Sequence, residues 1–289
     1  MAYLSSIAKL ALGAAVFSTA VSATGSETCT NPKLSCHTTP IPTNTCCYVT
    51  PGGQLLQTQF WDTDPVTGPT TSWTIHGLWP DECNGSYQED CDSTRAYTNI
   101  TAILKSYGAT TLLNYMDTYW ISNDESNEAF WDHEWETHGT CISTFATSCY
   151  PNYKPGMEIP DFFNATVNLF KTLPTYQWLS AAGITPSNSK TYTSAAILSA
   201  LSSPRGGVTP TISCSGSSLD EVYYYFNMMG SVQTGTFVPT NPVGSSSSCP
   251  STGIKYTPKT ALSPSPSPSP SPTPSSSSSS PEKKKEMSE

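Results

Sequence analysis

The chain has 289 residues, a formal net charge of −9, ten Cys and 25 Pro, and only 12% of its side chains are charged. That composition fits neither a cytosolic protein nor a basic domain that grips nucleic acid nonspecifically. Between residues 24 and 262, nine Lys/Arg face nineteen Asp/Glu, so any polyanion must be held locally, or at acid pH, where carboxylates are partly neutralised.

In chain order, residues 1–23 read as a cleaved secretory signal: Lys9, an apolar stretch from Leu10 to Phe17, and the small-residue site Val21-Ser22-Ala23. The mature chain is expected to start near Thr24 and to be secreted. No later run approaches the roughly 20 apolar residues a membrane helix needs, so no membrane association is expected. Residues 24–260 form one domain, large enough to bury a substantial core. Within it, segments 54–61, 73–79 and 222–226 are rich in aromatic and β-branched residues and read as strands. Segments 100–120, 127–138, 161–171 and 193–201 read as helices. Strands and helices mix without a regular βαβ repeat, which predicts an α+β domain. Residues 261–289 form a tail: Ser-Pro repeats from Ser263 to Pro274, then Ser275 to Ser280, a composition that stays extended and solvated. Lys283, Lys284 and Lys285 close it without the hydrophobic end of a GPI signal.

All ten Cys lie between Cys29 and Cys249. An even number behind a secretory signal predicts a disulfide framework rather than metal or thiol chemistry, with the adjacent Cys46 and Cys47 tied to different places. Asn84, Asn99 and Asn164 begin N-glycosylation sequons and are expected at the surface.

Three of the four His fall in two short segments, Trp73-Thr74-Ile75-His76-Gly77-Leu78-Trp79-Pro80 and His133-Glu134-Trp135-Glu136-Thr137-His138-Gly139-Thr140-Cys141. On a strand, strict alternation places Thr74 and His76 on the face opposite Trp73 and Ile75, Gly77 admits a close approach, and Pro80 ends the pairing. On a helix capped by Asn127 and closed by Gly139, Thr137, Glu134 and His138 share an arc of roughly 100°, with His133 about 40° beyond it. Asp132 and Glu136 fall opposite, in solvent, and Trp131 and Trp135 form a packing stripe. His133 and His138 are five apart and diverge by about 140° on such a helix, against the four-residue spacing of a zinc protease. No Gly-x-Ser-x-Gly elbow accompanies them. Metal-free acid–base chemistry by two imidazoles beside a carboxylate remains. The fourth His, His37, is read as a hydrogen-bonded core residue.

These two segments closely resemble the active-site segments of the secreted ribonuclease T2 family, and the likeness spans nearly the whole mature domain, closest to its fungal branch. The resemblance implies a single disulfide-rich domain with a central, mainly antiparallel sheet packed by helices. It implies the pairings Cys29–Cys47, Cys36–Cys83, Cys46–Cys149, Cys91–Cys141 and Cys214–Cys249. It implies a monomer that acts on RNA without cofactor or metal. His138 would be the base that deprotonates the ribose 2′-OH and His76 the acid that protonates the departing 5′-oxygen. His133 would hold the phosphate, and Glu134 would orient the base or stabilise the phosphorane. Trp79 and Tyr87 would stack on the upstream base while Asp81, as an acceptor, favours adenine; Gln59 and Phe130 fall where the downstream base is held. Thr137 departs from the pattern, because most family members carry a Lys there, and a neutral hydroxyl predicts an attenuated rate. The competing expectation is a secreted binding or toxic protein that keeps the scaffold without the turnover.

Overall fold

The computed structural model describes residues 25–260; the signal expected over residues 1–23 and the tail over 261–289 lie outside the described residues. Seven strands, numbered in chain order, share one sheet among the described residues: β1 (Gln54–Phe60), β2 (Thr74–Asp81), β3 (Thr191–Tyr192), β4 (Thr211–Ser215), β5 (Ser218–Met229), β6 (Thr236–Pro239) and β7 (Ile254–Lys255). The twelve-residue β5 is the spine. β1 runs antiparallel along one side of it, and β4 and β6 take successive stretches of the other. A single β5–β7 bridge is parallel, so the sheet is mainly antiparallel, as expected. β2 pairs beyond β1 at the edge. An edge strand tolerates a missing donor, and pairing therefore continues through Pro80 to Asp81 instead of stopping there.

Six α-helices accompany the sheet among the described residues: α1 (Ile100–Ser106), α2 (Thr110–Tyr119), α3 (Asn127–His133), α4 (Glu158–Lys171), α5 (Thr175–Ala181) and α6 (Ser194–Ser202). α4 contacts β1 and β2 as well as α1 and α2. It thereby joins sheet residues Leu55, Ile75 and Leu78 to Leu104, Met116, Trp120, Phe162 and Phe163 in one buried core. The helix expected over residues 100–120 is two helices. Gly108 takes φ +73°, and the bonds Gly108 N–H to Lys105 C=O and Ala109 N–H to Leu104 C=O close α1 as a Schellman turn. Strand β4 and helix α5 were not anticipated.

All five disulfides implied by the resemblance form, and no cysteine is free among the described residues. Cys46 and Cys47 go to Cys149 and Cys29, pinning the irregular N-terminal segment at two points. No helix of the described residues is long and apolar enough to cross a membrane.

Candidate active site

Two local irregularities build the site. The first is a bulge in β2. Thr58 of β1 pairs with Gly77 but Gln59 pairs with Ile75, which leaves His76 as the extra residue. Strict alternation would put His76 and Trp79, three apart, on opposite faces; the bulge breaks the alternation and brings them together, ring centroids 4.6 Å apart and edge to face. Ile75 and Leu78 stay in the core on either side of it. The ring of Phe60, on the neighbouring strand, stacks on His76 at 3.9 Å.

The second irregularity is a π-turn. α3 is capped by Ser126, whose Oγ accepts from Ala129 N–H, and not by Asn127, whose side chain instead accepts from Ser122 N–H. At Glu134–His138 the helix widens to i→i+5 bonding. A five-residue spacing that diverges on an α-helix converges here: the His133 and His138 rings lie 6.1 Å apart. One donor atom each of His133, Glu134 and His138 lies within 4.8 Å of the others. The divergence expected from the sequence does not hold, because the α-helical period does not apply. Gly139 is not a left-handed stop; it opens a 3-10 turn at φ −61°, and a side chain there would collide with the ring of Trp135.

Trp79 joins the halves. His138 stacks on its indole at 4.8 Å and 27°, His76 meets it edge-on, and its Nε1–H donates to Glu134 Oε2 at 3.0 Å. Glu134 has no exposed surface. Its carboxylate sits directly over Gly77, where any Cβ would collide with Oε2, so the close approach foreseen at Gly77 is made by a protein carboxylate. Glu134 Oε1 lies 3.7 Å from His76 Nε2. The carboxylate thus bonds Trp79 and approaches His76, with one oxygen within 4.8 Å of His138. Burial raises the Glu134 carboxyl above its ordinary value, opposed by His76, Trp79 and His133. Burial, reinforced by His133 and His76, lowers His138 to about 3.

His76, Trp79, Asp81, Tyr87, His133 and His138 line one cleft of about 650 Å³. The cleft is also lined by hydroxyl groups of Thr211, Ser213, Ser245, Ser246 and Ser248, with Tyr223 and Tyr225. Asp81 is 9% exposed and burial raises it to about 7. An acceptor-only carboxylate, as expected from sequence, therefore describes Asp81 only above that pH. Tyr87 is 66% exposed, its backbone bridged to Asp81. Phe130 lies on the other side of His76, centroids 5.9 Å apart, in a smaller pocket of about 210 Å³ shared with Phe60, His133 and residues 122–125.

Gln59 is not in the cleft. It is fully buried; its amide donates to Gln57 Oε1 and Leu173 C=O and accepts from Thr175 Oγ1, and it faces a separate pocket. Its burial follows from the alternation of β1, which puts it on the face of Leu55, and from its pairing with the core residues Ile75 and Val222. Thr137 is 8% exposed, and its hydroxyl lies 3.4 Å from His133 Nδ1. Asp132 is half-buried behind α1, where burial raises it to about 6, and is not a solvated residue. His37 is exposed, bonded to Asn227 Oδ1, and lies off the cleft. One residue that the sequence did not mark belongs to the site: Glu221 on β5, whose Oε1 lies 2.9 Å from His76 Nδ1.

Comparisons with known proteins agree on one family. The sequence profile of the ribonuclease T2 family matches residues 52–237. Ribonuclease Trv of Hypocrea rufa is 56% identical over 235 residues, covering 81% of this chain and 99% of that protein. Ribonuclease Le2 of Lentinula edodes is 54% identical over 218 residues, covering 74% and 90%. The crystal structure of Actibind, described as a T2 ribonuclease, superposes with a TM-score of 0.78 at 48% identity, covering 82% of this chain and all of that one.

Proposed function

The chain belongs to the ribonuclease T2 family and is an endoribonuclease of that type; on this premise we propose that it cleaves single-stranded RNA by metal-free transphosphorylation through 2′,3′-cyclic phosphates. One observation carries the reading: His76 and His138, 62 positions apart in the chain, line one cleft and share Trp79. His138, held neutral, takes the proton of the ribose 2′-OH. The freed O2′ attacks phosphorus, the P–O5′ bond breaks, and Nε2–H of cationic His76 protonates the departing O5′. His133, exposed at the rim, meets the non-bridging oxygens, and Glu134 offsets the imidazolium of His76 while fixing Trp79. Two imidazoles supply both transfers, and DNA is spared because it lacks the internal nucleophile.

Adenine preference follows from Asp81 with Tyr87. Below its value of about 7 the Asp81 carboxyl is neutral and offers one donor beside one acceptor, which matches the N7 acceptor and N6 amino group of adenine. The exposed Tyr87 ring is free to stack on that base, and Phe130 with Phe60 supplies an apolar seat for the downstream one. Among the described residues no Lys or Arg lines the cleft. No ammonium or guanidinium then meets the phosphate charge, which supports an enzyme attenuated by Thr137. Five disulfides support an oxidising, extracytoplasmic location. Asn84 and Asn99 are exposed and suit glycosylation, whereas Asn164 is half-buried in α4.

The test is product analysis. RNA incubated with the purified protein and a chelator is expected to give fragments ending in 2′,3′-cyclic phosphate, read by mass spectrometry, with the 2′-deoxy analogue intact. Cleavage of the deoxy analogue, or loss of activity with chelator, overturns the mechanism.

A further inference from the structure

β5 contributes a carboxylate to the acid side of the site that the two histidine segments of the sequence do not single out. Glu221 pairs with Phe60 across β1 and β5, and Phe60 is the ring on which His76 rests. Glu221 Oε1 contacts His76 Nδ1 at 2.9 Å, and Oε2 accepts from the hydroxyl of Tyr223, two residues along the same face. Both oxygens are occupied and the side chain is 13% exposed, so the carboxylate is fixed in place. The β2 bulge makes the contact reachable by freeing His76 from the strand's alternation.

We propose that Glu221 is a positioning residue that accepts the Nδ1 proton of His76 and holds the ring with Nε2 directed into the cleft. Two consequences follow. The proton that remains after transfer is the one on Nδ1, so the emptied nitrogen is always Nε2, the atom beside the reacting phosphate. A fixed Nδ1 contact also aims Nε2–H at the departing oxygen, and after the first step leaves Nε2 ready to take a proton from the water that hydrolyses the cyclic phosphate.

Other charges face the same ring. Glu134, His133 and His138 approach it from the π-turn, and Asp220 adjoins Glu221 on β5. Asp124 and Glu125 share the smaller pocket with it. Glu221 alone touches Nδ1; Glu134 faces Nε2, where the substrate must come.

The decisive variant is Glu221→Gln, which keeps an acceptor oxygen but removes the charge. The readout is the leaving-group dependence of kcat/KM, taken on RNA and on a nucleoside 3′-(4-nitrophenyl phosphate), whose leaving group departs without a proton. Loss of an aimed Nε2–H is expected to lower the rate on RNA about tenfold or more and to leave the activated ester near the wild-type rate. Tyr223→Phe, which frees Oε2 only, should show the same selective loss by less, and serves if Glu221→Gln folds poorly by circular dichroism. A purely structural role would lower both rates by one factor, and that result, or an unchanged rate on RNA, overturns the inference. The inference rests on His76 as the acid. If His76→Ala retains the rate, that assignment fails; if His76 is required and Glu221→Gln shows no selective loss on RNA, only the role of Glu221 fails.

Discussion

Replacing His138 by Ala lowers kcat/KM for RNA by roughly 10²- to 10⁴-fold, the contribution of a positioned general base. The expectation comes from where the ring sits. It stacks on Trp79 and leans on His133, and burial together with the neighbouring imidazoles disfavours its cation, lowering it to about 3. Only a neutral imidazole accepts a proton, so lowering its pKa extends the base form downward in pH. In the free enzyme the acid limb of kcat/KM that belongs to His138 is therefore expected well below the ordinary imidazole value of about 6.5. The protein can then work at pH 4 to 5 with His138 still a base. Profiles recorded from pH 3 to 8 on the wild type and on His138→Ala check both parts. An acid limb near 6.5, or a variant with undiminished rate, contradicts the assignment.

Thr137→Lys raises the rate by up to roughly 10²- to 10³-fold, the worth of one preorganised charged donor at a developing oxyanion. The Thr137 hydroxyl lies 3.4 Å from His133 Nδ1 and supplies no charge. Among the described residues no Lys or Arg lines the cleft, so an ammonium at 137 would be the first there. A lysine at 137 must extend past His133 to reach the phosphate, so the gain is expected chiefly in kcat. An unchanged rate would show that position 137 does not limit catalysis in this chain.

The regular parts of this fold were legible from periodicity. The strands at 54–61 and 73–79 and the helix ending at Lys171 lie within a few residues of their expected bounds, because amphipathic alternation and caps act locally. The site is where local rules fail. His76 is aimed by a bulge and His138 by a π-turn, and both are departures from a period, invisible to any reading that assumes one. That is why an α-helical period sets His133 and His138 apart while the fold makes them neighbours. Gly108 could have announced the break between α1 and α2, being the one residue in that stretch suited to a left-handed turn. Glu221 was legible in principle. A charge inside the aromatic run of β5, in phase with Tyr223 and Tyr225 on the cleft face while Val222, Tyr224 and Phe226 fill the core, is a buried-face carboxylate that needs a partner. Its partner comes from a strand two places away in the sheet, and only the fold supplies that pairing.

The central claim is a division of labour, His138 as base and His76 as acid at one phosphodiester. The most direct measurement compares His76→Ala and His138→Ala on RNA and on a nucleoside 3′-(4-nitrophenyl phosphate), whose leaving group departs without a proton. His76→Ala is expected to regain near wild-type rates on the activated ester while His138→Ala stays impaired on both substrates. Equal impairment of the two variants on the activated ester, or rescue of His138→Ala alone, would contradict the account.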